Sequence, residues 1–167
     1  MKRVLGRLAI LALFCSLFCS PVVAQNNGSS AIYRQVTALQ SKHKSEKGVL
    51  SWACHDGLGL QTVKTMLRKE FGAEFTNAIK SFAILIFKDS SAENASKIVG
   101  DISLITNTLH EINIKDKMKK GEQARGYIRF AEGGKKISDL LIVVEAPAPK
   151  LIYIGGDFDP EHPQIKR

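Results

Sequence analysis

"YIRFAEGGKKISDLLIVVEAPAPKLIYIGGDFD", residues 127–159, decides the fold. Three runs rich in apolar and β-branched residues, YIRFAE (127–132), ISDLLIVVEA (137–146) and LIYIGGDFD (151–159), are separated by GGKK and PAPK. A glycine pair supplies the positive backbone angles of a tight hairpin, and Pro147 and Pro149 cannot donate to a central ladder, so both breaks read as turns. The stretch therefore predicts an antiparallel meander. Its middle run contains LLIVV, apolar at every position, and such a strand asks for cover on both faces.

Upstream, AIKSFAILIFKD (78–89) predicts a central strand, again apolar without interruption from Phe82 to Phe87. GVLSWAC (48–54) predicts a shorter strand, with Leu50, Trp52 and Cys54 on one side and Val49, Ser51 and Ala53 on the other. EINIKD (111–116) alternates like an edge strand. Three helices precede or separate these runs. The first spans roughly 31–44, capped by Ser30, with Ile32, Val36, Leu39 and His43 at helical spacing. The second places Leu60, Val63, Leu67 and Phe71 on one face and stops at Gly72. The third starts at Ser90 or Ser91 and runs to about Leu109 on the stripe Ala95, Ile98, Val99, Ile102, Ile105 and Leu109, with Gly100 as a weak point. The sum is an α+β domain, 31–159: a mostly antiparallel sheet with helices packed on one face and a C-terminal β-meander. Two strands apolar on both sides need the first helix over the second face, or another copy of the chain, so self-association is one expected partnership.

The ends read differently. Lys2, Arg3 and Arg7 precede the apolar run LAILALFCSLFC (8–19), and Val22 and Ala24 occupy the small-residue positions of a signal-peptidase site. This predicts a secretory signal peptide over 1–24, cleaved after Ala24, with an apolar core shorter than the roughly 20 residues of a membrane span. Residues 25–30 form a flexible leader and 160–167 a polar tail. The expected location is periplasmic or secreted, with no transmembrane span after cleavage. Cys15 and Cys19 follow Phe14 and Phe18, not the small residues that usually precede a lipid-attachment cysteine.

Cleavage removes two of the three cysteines and leaves Cys54 alone, so no intramolecular disulfide is expected. It also removes three of the positive charges behind the formal net charge of +8. The moderate basicity that remains suits anionic lipid, polysaccharide or acidic protein surfaces, or simple solubility, and nucleic acid is not an expected partner for an exported chain. The basic run KDKMKKGEQARG (115–126) reads as a solvated loop, with a docking patch over 115–125 as its functional alternative.

Candidate chemistry is sparse. SWACHDGLG (51–59) sets His55 beside Cys54, the pair from which a thiol nucleophile and its base could be drawn. Adjacent strand residues point to opposite faces, however, and Cys54 shares a face with Trp52, so packing is the favoured role. A helix opening near Gly57 could lower the thiol's pKa, which is the best argument for catalysis. GDFDPEHP (156–163) gathers Asp157, Asp159, Glu161 and His162, which could hold a hard cation, but the spacing lacks the calcium-loop pattern. The glycine pairs at 133–134 and 155–156 do not open helices and form no phosphate cradle. No cofactor is expected.

The order of a signal segment, a helix, KGVLSW, a helix, IKSFAILIFKD, a capped helix, YIRF, GGKKISDLLIVVE and LIYIGGDFD resembles the bacterial domain-of-unknown-function family 4252 over about 47–159. The resemblance implies a small exported or envelope-associated protein without an assigned activity, and it transfers no catalytic residue. Together these readings predict a non-catalytic envelope domain that binds another envelope protein or itself. A thiol-dependent enzyme or redox sensor on Cys54 is the alternative, and a small apolar ligand held between sheet and helices is a third expectation.

Overall fold

The computed structural model describes residues 30–88, 92–114, 123–146 and 148–161. The signal segment, the Ser90/Ser91 cap, most of the basic run, Pro147 and His162 lie outside them. Along the chain the elements are α1 (Ala31–His43), β1 (Val49–Cys54), α2 (Gly57–Ala78), β2 (Ile79–Phe87), α3 (Ala92–Thr106), β3 (His110–Ile112), β4 (Gln123–Phe130), β5 (Ile137–Ala146) and β6 (Lys150–Phe158). The strands form one antiparallel sheet in the order β1-β2-β6-β5-β4-β3. The α+β class, the antiparallel sheet and the closing meander are those the sequence predicts. The meander gains a fourth strand, because β3 pairs with β4.

The helices divide between the two faces instead of sharing one. Phe82, Ile84 and Ile86 of β2 and Ile152 and Ile154 of β6 pack with Leu60, Val63, Leu67 and Phe75 of α2. Ala83, Leu85 and Phe87 of β2 and Leu151 and Tyr153 of β6 pack on the other side with α1 and with Ile98, Ile102 and Ile105 of α3. Each large apolar side chain so buried contributes about 1.5–3 kcal/mol, which is why both faces of these strands attract a helix. The cover comes from within the chain, so the two-sided strands need no second copy.

Local devices fix each helix. Ser30 accepts hydrogen bonds from the backbone N–H groups of Ile32 and Tyr33 at 3.1 and 3.4 Å and so caps α1. Gln40, buried on the inner face of α1, donates from Nε2 to the carbonyls of Trp52 and Ile84, both at 3.0 Å. A polar side chain in the core is thereby satisfied, and α1 is registered against β1 and β2. The C-terminus of α1 is clasped to α3: Lys42 Nζ lies 2.6 Å from Asp101 Oδ2, and His43 faces Glu46 at 2.7 Å and Asp101 at 3.2 Å.

Gly72 does not end α2 as the sequence predicts. Its backbone (φ 80°, ψ 168°) breaks the helical path, and the helix then resumes to Ala78. The second piece is held because Phe75 is buried, stacking on Phe71 at 5.2 Å and on Phe158 of β6 at 4.8 Å between ring centroids. At the far edge, the side chains of Ile112 and Ile114 cross Gly126, where a Cβ would overlap both.

Candidate functional site

The densest polar cluster lies where the sequence reading placed nothing. Register shifts between Ile79 and Ser81, between Ile137 and Asp139, and between Arg129 and Phe130 interrupt three neighbouring strand pairs. Ser81 and Asp139 keep the α1-facing alternation of Ala83 and Leu85 and of Leu141 and Val143, while the shifts put Ile79 and Ile137, two positions earlier, into the α2 face. In the regular register just inside these shifts, Ser81, Gly155, Asp139 and Arg129 form one row across β2, β6, β5 and β4.

Asp139 is fully buried, and both carboxylate oxygens are engaged twice. Oδ2 accepts from Arg129 Nε at 2.7 Å and from the Ser138 hydroxyl at 2.6 Å. Oδ1 accepts from the Tyr153 hydroxyl at 2.9 Å and from the Ser30 hydroxyl. Arg129 Nη2 also donates to Ser30 Oγ at 3.1 Å. A carboxylate has about four lone-pair positions, and here all are filled. Tyr153 spends its one hydrogen on Asp139, so Ser81 is the donor in the 3.3 Å contact between their hydroxyls. Gly155 makes the arrangement possible: a Cβ there would overlap the Tyr153 and Ser81 oxygens. Burial, then the charge of Asp139, push the Tyr153 phenol well above its ordinary pKa, so it stays a hydrogen-bond donor. The cluster thus ties the capped N-terminus of α1 to the middle of the sheet. A carboxylate near a helix N-terminus is also favoured by the helix dipole.

The signal for this cluster was present in the sequence. Asp139 sits directly before the apolar run LLIVV of a central strand, and a charge buried there needs a cation partner. What spacing could not reveal was the strand order and register that align Ser81, Asp139 and Arg129 beneath the N-terminus of α1.

The WACHDG segment resolves as the alternation predicts. Leu50, Trp52 and Cys54 belong to the α2 face, and Val49 and Ala53 to the other. Cys54 is a buried thiol, 7% exposed, against the first turn of α2, close to Gly59 and near Trp52, whose ring lies 5.8 Å from that of Phe82. His55 turns to the α1 side, edge-on to the Tyr33 ring at 6.0 Å, with its Nε2 3.5 Å from Asp56. Nucleophile and base candidates therefore point to opposite faces. Burial, followed by the nearby Cys54 and Asp56 groups, pushes the Tyr33 phenol up to about 12. Tyr33 and Tyr153 stand 5.5 Å apart, so a wall of neutral phenols separates His55 from Asp139.

The acidic end of β6 is bound up with lysines. Asp157 pairs with Lys80, Asp159 lies 3.5 Å from Lys136, and the Asp159 carboxylate accepts from the Glu161 backbone N–H at 2.9 Å. These contacts engage one oxygen of Asp157 and both of Asp159. His162 lies outside the described residues. Among the described residues no three His, Cys, Asp or Glu side chains gather as a metal site, and no helix is long and apolar enough to cross a membrane.

No protein-family model, curated protein or solved structure matches the chain.

Proposed function

We propose that this chain is a non-catalytic binding domain of the bacterial envelope, exported by its N-terminal segment; only the exported, envelope-associated setting is what its resemblance to domain family 4252 implies. The observation that carries this reading is how the groups best suited to chemistry are used. Asp139 is saturated by four donors, and Cys54 is packed in the core with His55 on the opposite face. Thiol exchange at Cys54, or acid–base work by Asp139, would need that group presented to a substrate. The partner is another envelope component, and the test is crosslinking from intact cells followed by a native mass in solution. A recovered partner or a defined homo-oligomer supports the reading, whereas a strictly monomeric protein with no crosslinked product overturns it.

One observation favours a thiol-dependent enzyme or redox sensor as the second reading: the Cys54 side chain lies against the first turn of α2, where a helix N-terminus would stabilise a thiolate. Alkylation by iodoacetamide separates the two. Burial predicts slow labelling of the folded protein and fast labelling in denaturant. Labelling of the folded form faster than an ordinary exposed thiol, persisting below neutral pH, would instead bring the enzyme reading forward.

A further inference from the structure

The two ends of the sheet handle their lysines differently. At one end β1 begins, β2 finishes and β6 begins, because Leu50 pairs with Ile86 and Ile86 with Lys150. The turn after α1 closes here through Val49 N–H to the Glu46 carbonyl at 3.3 Å, and Lys88 N–H donates to the Gly48 carbonyl at 2.9 Å. Lys44 and Lys47 in this turn and Lys88 at the end of β2 are therefore held in one compact loop cluster. All three are exposed, and none has an ion pair among the described residues. At the opposite end, Lys80 and Lys136 are paired with Asp157 and Asp159, and the exposed Lys135 shares its turn with the exposed Glu132. The dipole of α1 accounts for a cation at Lys44, its C-cap, but not for Lys47 and Lys88, which lie beyond the helix.

We propose that this lysine-bearing end of the sheet, Lys44, Lys47 and Lys88, binds an anionic phospholipid surface. The proposal rests on the reading of the chain as an envelope binding domain and names what one end of it meets. The chemistry of the cluster selects the occupant. Lysine offers a mobile point charge without the fixed fork by which arginine matches one carboxylate or phosphate, and a fluid plane of headgroup phosphates needs no fixed match. Protein–protein interfaces, by contrast, are poor in lysine and rich in aromatic residues, and Phe87, the ring beside Lys88, is buried in the core. The pairing of charges at the opposite end leaves a charge asymmetry along the strands, so an anionic plane would be met end-on. Docking of this kind is peripheral.

The test uses the protein isolated as the cell processes it, sedimented with vesicles of mixed phosphatidylglycerol and phosphatidylcholine, and with vesicles of phosphatidylcholine alone. The variants are a Lys44→Gln, Lys47→Gln, Lys88→Gln triple and a control triple, Arg68→Gln, Lys69→Gln, Lys135→Gln, that removes the same charge from exposed positions elsewhere. Each lysine close to an anionic bilayer strengthens binding by about fivefold, so the first triple should bind the anionic vesicles roughly a hundredfold more weakly. The control should stay within about twofold of the parent, because its charges lie on α2 and in the turn before β5, outside the lysine-bearing loop cluster. Binding of the parent should also fall in molar salt. Equal losses in both triples would mean that net charge alone acts, and would overturn the site. No preference of the parent for anionic vesicles would overturn it too, as would tighter binding to a soluble acidic polysaccharide than to vesicles. Circular dichroism of both triples excludes misfolding as the cause of a loss. Where one of these vesicle results overturns the lipid proposal, crosslinked protein partners recovered equally with the first triple would still leave the binding-domain reading standing.

Discussion

At Asp139 a single carboxylate collects four donors from Ser30, Arg129, Ser138 and Tyr153. Such a group is costly to bury and more costly to leave half-paired, since removing a donor leaves the fully buried carboxylate without solvent to replace it. Asp139→Asn keeps the shape but replaces one acceptor oxygen with a donor that faces Arg129 and Ser138 or Ser30 and Tyr153. The expected loss is on the order of 3 kcal/mol in chemical denaturation. A loss below about 0.5 kcal/mol, typical of an ordinary surface substitution, would show that the cluster does not hold α1 to the sheet. The cost should not be read as the net worth of the ion pair, because a well-packed apolar replacement of the whole cluster could be nearly neutral.

Two glycines in helices make opposite predictions at the scale of the element. Gly72 sits at φ 80° and ψ 168°, a backbone region open to glycine and closed to other residues, and a Cβ there would meet nothing within 4 Å. Gly72→Ala should therefore destabilise by about 1–3 kcal/mol through the backbone alone, freeing the Phe75 piece of α2 first. Gly100 also has open space around its Cβ position, but it keeps a helical backbone within α3. Gly100→Ala should stabilise by about 0.5–1 kcal/mol, and thermal melts of the two variants should move in opposite directions. The clasp between α1 and α3 adds a pH dependence. The hydrogen bond from Lys42 holds the Asp101 carboxyl below its ordinary pKa, with a further contribution from His43. A folded pKa below the unfolded one means that the carboxylate stabilises the fold above the unfolded value, and that this is lost as pH falls through the folded value. Asp101→Asn should thus cost up to about 1 kcal/mol at neutral pH, since the pair is partly exposed. The gap between parent and variant should close in acid, and a gap that persists there would mean that packing, not charge, is what the substitution removes.

Across the whole molecule, what could be read from the sequence followed the side chains that repeat. The alternation in VLSWAC put Cys54 with Trp52, and the unbroken apolar runs around Leu85 and Leu141 announced a sheet covered on both sides. The resumption of α2 after Gly72 depended on one glycine angle, and the Asp139 cluster on which strands pair and in what register, and neither leaves a repeat to detect. The division of helices between faces has a consequence for cooperativity. Ile84 and Leu85 are neighbours on β2, both buried, one facing α2 and the other facing α1 and α3. Ile84→Ala and Leu85→Ala should each cost about 2–5 kcal/mol. Because the sheet is the shared wall of both cores, neither half can lose its packing and leave the other intact. The sole tryptophan, Trp52, packs on the α2 face, so its fluorescence reports on that core, while far-ultraviolet circular dichroism reports on all three helices. For Leu85→Ala, damaged on the opposite face, the two signals should still fall together in one transition. A circular dichroism loss that precedes the fluorescence change would mean that α1 and α3 peel away as a separate unit, with the sheet and α2 forming the stable part of the fold.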